Sequence, residues 1–207
     1  MPTQTQLSDV PSPIDLQSEV DAKGWAESAN QLRPWRVQFF EAISAAIPSE
    51  RSARVLELGS GPGFLAEHIF RSHPSVHMTL LDFSEPMHAL AMERLRPFAG
   101  RVSYVCRSFK EENWMEGLGT FDYIATNQAV HELRHKRYAE RLHRSVRSIL
   151  NLDGRYLVSD HFCGEGGMKE DALYMTIDEQ RQALLAAGFE EVSELLCLGS
   201  MVLHGAA

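Results

Sequence analysis

The chain has 207 residues, 44% hydrophobic and 23% charged, enough for one ordinary globular domain and short for two. Its formal charge of -8 argues against nucleic acid as a partner, because neutralising phosphates needs clustered Lys and Arg. No apolar run reaches the roughly 18 residues of a membrane span, and the polar, Pro-containing start is unlike a secretory signal.

Residues 1–15, rich in Thr, Gln, Ser and Pro, read as a loose arm, and residues 16–50 as a helical cover. Pro34 suits a first helical turn, after which Trp35, Phe39, Ala42, Ile43 and Ala46 recur at helix spacing until Pro48. Residues 51–207 then alternate strand and helix. Strands are expected at 54–58, 76–81, 102–106, 121–126 and 156–159. One helix is expected after the N-cap Ser84, with Met87, Leu90, Ala91 and Leu95 as its stripe and Pro97 as its stop. Another carries Tyr138, Leu142, Val146, Ile149 and Leu150 and is closed by Gly154. A third opens with the capping box Thr176–Glu179, turns Ile177, Leu184 and Leu185 inward and ends at Gly188. The last stretch reads as two strands, 191–196 and 201–204, whose short turn makes them antiparallel. The pattern implies a doubly wound α/β domain, a mostly parallel sheet covered on both faces. Cys106, Cys163 and Cys197 stand far apart without a CxxC, the usage of free thiols in a reducing, cytoplasmic setting.

The sharpest signal is the run Val55-Leu56-Glu57-Leu58-Gly59-Ser60-Gly61-Pro62-Gly63-Phe64, an apolar strand passing through glycines into a helix. A dinucleotide site would need its third Gly at position 64, to leave helix N–H groups open to a pyrophosphate. Phe64 stands there, the third glycine is Gly63, and Glu57 is a poor neighbour for phosphate but a good one for an ammonium. Asp82 closes the next strand about twenty residues on, where a carboxylate can accept from both ribose hydroxyls. Phe83 follows, placed to cover an adenine face.

These two motifs resemble those of class I S-adenosylmethionine-dependent methyltransferases of the small-molecule type. The first motif is Glu57-Leu58-Gly59-Ser60-Gly61-Pro62-Gly63, and the acidic second is Leu81-Asp82-Phe83-Ser84-Glu85-Pro86-Met87. The spacing of Phe121-Asp122-Tyr123-Ile124, Ala129-Val130-His131, Leu150 to Gly154 and Ala187-Gly188-Phe189 is also similar, so the resemblance covers about residues 35–207. It implies a three-layer α/β/α fold on a seven-stranded sheet, order 3-2-1-4-5-7-6, with the last strand antiparallel. It implies S-adenosylmethionine as cofactor, S-adenosylhomocysteine as product and a small-molecule methyl acceptor, in a monomer or homodimer. Gly59, Ser60, Gly61 and Gly63 would line the methionine part of the cofactor and Glu57 its amino group. Asp82 would hold the ribose, Phe83 and Met87 the adenine, with Ser108, Phe109 and Asn127 completing the site. Ser108 stands where the third motif usually offers an acid. Asp153-Gly154 replaces a usual glycine pair.

His131-Glu132-Leu133-Arg134-His135 matches HExxH, which on a helix would offer two imidazoles to zinc. It directly follows the strand ending near Thr126, in a strand-to-helix loop, so no metal is expected and His135 reads as a solvated helix-start residue. His131 falls instead at the carboxyl edge of the fourth strand, with Asp160 and His161 at that edge of the fifth, where open α/β sheets bind ligands. These three are the candidate catalytic residues, a proton-accepting or orienting group beside the sulfonium. The segment 164–175 is short, so acceptor cover must come from the N-terminal region, with Trp25, Trp35 and His131 as the acceptor-binding candidates. Methyl transfer needs mainly alignment of donor and acceptor, so the sequence does not require a base. Alternative functions are a non-catalytic cofactor-binding module, a methyltransferase acting on RNA or protein, and, on the same fold, a nicotinamide-dependent oxidoreductase.

Overall fold

The computed structural model describes residues 8–49 and 52–207. Of the arm expected over residues 1–15, the first seven lie outside the described residues. The strands are β1 (Ala53–Leu58), β2 (Val76–Asp82), β3 (Val102–Cys106), β4 (Phe121–Asn127), β5 (Leu150–His161), β6 (Val192–Leu198) and β7 (Met201–Ala206). They pair in the order β3-β2-β1-β4-β5-β7-β6. Pairs among β1 to β5 are parallel, and β7 runs antiparallel to both β5 and β6. This is the fold and strand order expected from the sequence.

Six α-helices accompany the sheet: α1 (Glu19–Leu32), α2 (Arg36–Ala45), α3 (Phe64–Ser72), α4 (Glu85–Arg94), α5 (Ala139–Ser148) and α6 (Ile177–Ala186). Their ends follow local chemistry. Ser84 Oγ accepts from the Met87 N–H at 3.1 Å, and Thr176 and Glu179 complete a reciprocal capping box before α6. Neighbouring strand residues point to opposite faces, and both faces are dry. Val55 is buried in a cluster with Phe39, Ile43 and Ile69 of α2 and α3, and Leu56 in a second with Leu142, Val146 and Leu184 of α5 and α6. That two-sided burial is why the strands read as near-continuous apolar runs.

One expectation is corrected. Leu150 does not extend α5, and Gly154 does not close it: the helix ends at Ser148, and Leu150 opens β5 by pairing with Phe121. The β4–β5 register shifts between Phe121 and Tyr123, and a Cβ on Gly154 would lie 2.9 Å from the Asn151 carbonyl oxygen and 3.1 Å from that of Asp122. The glycine is needed there for close backbone approach within the strand.

The chain crosses from one half of the sheet to the other between β1 and β4, which opens a crevice beyond their carboxyl ends. α1 packs across α4 with Ala22 and Ala29 buried on its inner face. Among the described residues no helix is long and apolar enough to cross a membrane.

Candidate active site

A cavity of about 1050 Å³ fills this crevice. Its first half is built by the loop after β1. Gly59, Gly61 and Gly63 all adopt positive φ (+66°, +52° and +77°), which only glycine takes without strain. A Cβ on Gly59 would come within 2.4 Å of the Ala129 Cβ, so this position also sets how closely the ends of β1 and β4 approach. Gly61 is different: the nearest atom to its missing Cβ is on Trp25, 4.0 Å away. The Asp82 carboxylate accepts from the Gly61 N–H at 2.8 Å and the Ser84 N–H at 2.9 Å, which ties the acid to the loop. Burial raises its pKa, against those two amides. Phe83, Met87, Ser108 and Phe109 line the same half. Ser108 Oγ accepts from the Lys110 N–H at 3.2 Å, and the Asn127 side-chain oxygen from Ser159 Oγ at 2.6 Å. Ser60 Oγ is buried at the wall without a partner.

Glu57 is buried at the cavity wall, and its Oε2 has no hydrogen-bond partner. Burial and the Asp82 charge push its pKa well up, while Arg36 and the Ala66 amide pull the other way. Such a carboxylate can receive a cationic group. Arg36, which sequence reasoning missed, lies beside it. Its guanidinium sits among the Trp25, Phe40 and Phe64 rings (5.2, 5.5 and 5.7 Å to the centroids) and donates to the Asn30 side-chain oxygen at 3.0 Å. Burial and Arg33 bring its pKa down to about 10. The one available signal was a lone cation inside the aromatic stripe Trp35–Phe40.

The second half brings together His131, Asp160 and His161 from the ends of β4 and β5. Asp160 accepts from the His131 N–H at 2.8 Å, from its ring Nδ1 at 2.6 Å and from the His161 N–H at 2.7 Å. The far ring nitrogen of His131, Nε2, lies 3.4 Å from Glu132 Oε1. Burial works against a charged ring, but Asp160 and Glu132 outweigh it and push the His131 pKa up to about 10, so this imidazole is a cation at neutral pH. His161 is its opposite. Burial holds its pKa down to about 4, its Nδ1 lies 2.9 Å from Ser200 Oγ and its Nε2 lies 2.8 Å from the Gln128 amide nitrogen. With Gln128 donating to Nε2, the neutral ring's lone pair is taken. Tyr174, also unforeseen, packs its ring against His131 and His161, with centroids 5.4 and 5.9 Å away.

Of the acceptor-binding candidates, Trp25 lines the cavity beside Gly61, and His131 lines it at the strand ends. Trp35 does not line it: the indole packs over Gly199, where a Cβ would lie 2.9 Å from the ring. The HExxH residues do not share a helix face. Residues 130–133 form a short 3-10 turn, Arg134 turns left-handed (φ +67°), and His135 is extended. His135 is buried rather than solvated, because its Nδ1 accepts the Arg137 N–H at 3.2 Å and caps the next turn. Among the described residues no group of three His, Cys, Asp or Glu has metal-binding geometry.

Residues 10–16 line the cavity as a strap fastened near both ends. Arg134 holds one end: its Nε and Nη2 donate to the Val10 and Pro11 carbonyls at 2.9 and 2.6 Å, and its own carbonyl accepts from the Val10 N–H at 2.8 Å. Ser84 Oγ donates to the Leu16 carbonyl at the other.

The strand order, the glycine loop and the acid tied to it define a Rossmann-like nucleoside-binding domain. Residues 55–154 match a family described as methyltransferase domain. A malonyl-[acyl-carrier protein] O-methyltransferase of Bacillus anthracis is 26% identical over 140 residues, 68% of this chain and 49% of that protein. The chain thus spans about half the length of this curated relative. An O-methyltransferase family protein from Burkholderia thailandensis shares the fold with a TM-score of 0.76 at 16% identity, over 92% of this chain and 60% of that one. The structure of a DhpI–SAH complex gives 0.68 at 18%, over 92% and 95% of the two chains. Residues 55–154 thus carry the methyltransferase-domain match, and the fold is shared with solved proteins of the O-methyltransferase family.

Proposed function

We propose that this protein transfers the methyl group of S-adenosylmethionine to an oxygen or nitrogen atom of a small molecule, leaving S-adenosylhomocysteine. The observation that carries the reading is the unpartnered, buried Glu57 oxygen at one end of the glycine loop, with the tied Asp82 carboxylate at the other. Two acids spaced along the loop suit a ligand with an ammonium head, a ribose and no phosphate. They oppose a dinucleotide.

In this reading Glu57 receives the ammonium and Arg36 the carboxylate of the methionine part, over a loop that Gly59, Gly61 and Gly63 keep free of side chains. Asp82 accepts from the ribose hydroxyls. Phe83 and Met87 flank the adenine, and Ser60, Ser108, Phe109 and Asn127 complete the wall. The bound cofactor supplies a methyl carbon activated by sulfonium, so the protein's task is alignment and exclusion of water. His131, held by Asp160 on one ring nitrogen and facing Glu132 with the other, lends the acceptor side a fixed positive charge rather than removing a proton, because an imidazolium has no lone pair to offer. His161, with Ser200 and Gln128 on its two ring nitrogens, positions the neighbouring wall, and Trp25 closes the opposite side. This arrangement suits an acceptor atom that arrives already able to attack.

Calorimetric titration with S-adenosylmethionine, S-adenosylhomocysteine and NAD tests the reading, followed by a methyl-transfer screen against small acceptors. Binding of the first two in the micromolar range, with NAD far weaker, is expected. A wild-type protein that binds neither sulfur ligand overturns it.

A further inference from the structure

Among the cations that line the cavity, Arg33 is one that no protein group neutralises among the described residues. Arg33, at the C-terminal end of α1, lines the cavity half-buried, and its guanidinium makes no hydrogen bond or ion pair among the described residues. Its charge is felt at His161 and Tyr174 on the acceptor side and at Arg36 on the cofactor side, which places it between the two halves. The two other cavity-lining arginines have contacts of their own. Arg134 holds Val10, Pro11 and Glu132, while Arg36 has Asn30, three rings and the field of Glu57. A guanidinium kept partly out of water without a partner is costly unless a ligand completes it, and its planar fork of donors matches a carboxylate in a bidentate pair.

We propose that the acceptor is a small carboxylic acid, bound as its carboxylate by Arg33. The inference rests on the methyl-transfer reading for the term acceptor, but the anion site stands on Arg33 alone. It also agrees with the state of the floor: His131 is already protonated and the His161 lone pair is occupied, so nothing there demands a neutral, proton-bearing partner.

The test uses the full chain saturated with S-adenosylhomocysteine, titrated with benzoate, cinnamate and hexanoate and with their primary amides. At least one carboxylate should bind about tenfold or more tighter than its amide, the advantage of a charge-assisted pair. Arg33→Ala should abolish that preference, Arg33→Lys should keep part of it, and S-adenosylhomocysteine affinity should be much the same in all three proteins. Amides binding as well as carboxylates, no carboxylate binding, or a preference that survives in Arg33→Ala would each overturn the proposal. A wild type that fails to bind S-adenosylhomocysteine would instead overturn the methyltransferase reading, since the carboxylate–amide comparison can be repeated on the free protein.

Discussion

Asp160 grips His131 twice, taking its backbone N–H at 2.8 Å and its ring Nδ1 at 2.6 Å, although the two residues are 29 positions apart on neighbouring strand ends. Each partner changes the other's charge state. The His131 pKa is raised, and that of Asp160 is lowered because the His131 charge and hydrogen bonds outweigh its burial. A raised histidine contributes stability that is full below its unfolded pKa and is lost as pH climbs through the folded value. A depressed aspartate contributes stability that is full above its unfolded pKa and is lost as pH falls through the folded one. The pair is therefore strongest between about pH 4 and 6.5 and weakens toward pH 10. Asp160→Asn should destabilise by roughly 3–5 kcal/mol at pH 5.5, the cost of breaking a buried pair, and by clearly less at pH 9.5. Urea melts of both proteins at the two pH values check this, and an equal gap would contradict the charged pair.

Glu57 should show the reverse trade. Its folded pKa is raised, so ionising it at neutral pH costs stability, and that cost disappears as pH falls below the unfolded carboxylate value. Glu57→Gln keeps the shape and removes the charge. The variant should melt higher than wild type at pH 7, by a margin that shrinks toward pH 4.5. It should also bind S-adenosylmethionine about tenfold or more weakly, the loss of one charge-assisted contact. Thermal melts and calorimetry on the same preparations separate the two effects.

Gly59 and Gly61 both adopt a positive φ yet differ in what lies beyond the missing Cβ. Gly59→Ala meets Ala129 at 2.4 Å and must push β1 and β4 apart, so stability should fall by more than the roughly 1–2 kcal/mol of left-handed strain alone. Gly61→Ala meets nothing closer than 4.0 Å and should carry only that strain, while filling the space the cofactor would occupy. Loss of S-adenosylmethionine binding in a folded Gly61→Ala protein is the expected signature. Unchanged binding would remove the loop from the cofactor site.

The glycine-loop half of the cavity was legible in the sequence because its determinants are local. The Glu57–Gly63 run makes its own turn, and Asp82 ends the very next strand, so spacing along the chain is already geometry. His131 and Asp160 were legible for a topological reason: neighbouring parallel strands bring their carboxyl ends to one edge. What could not be read depends on segments returning from afar or lacking periodicity. Arg33 and Arg36 come from the N-terminal cover and looked like a helix end and an interruption of an aromatic stripe. Tyr174 sits in an irregular segment where no pattern marks direction. His135 was misjudged because a polar residue after a strand is usually wet, whereas here the Arg137 amide gives its ring a buried partner. The single proton-accepting site imagined for His131 and His161 became two unlike imidazoles, one charged and one neutral, because only His131 has a carboxylate on its ring.

The strap that lines the cavity gives the last prediction. Arg134 joins positions more than a hundred residues apart, and three of its contacts converge on Val10 and Pro11. Residues 10–16 form part of the cavity lining, so their release should speed ligand exchange more than it alters the bound state. Arg134→Ala removes both side-chain bonds to the strap but leaves the left-handed backbone at this position as it is. Each lost charge-assisted bond is worth about 1.5–3 kcal/mol at most, enough to open the strap without unfolding the sheet. Hydrogen exchange at residues 10–16 should rise in the variant while the β1 and β4 amides stay protected. The dissociation rate of S-adenosylhomocysteine, measured by competition in stopped flow, should increase about tenfold or more, with a smaller change in the association rate. Faster exchange of the strap amides with an unchanged dissociation rate would show that Arg134 fastens the strap but that the strap does not gate the site.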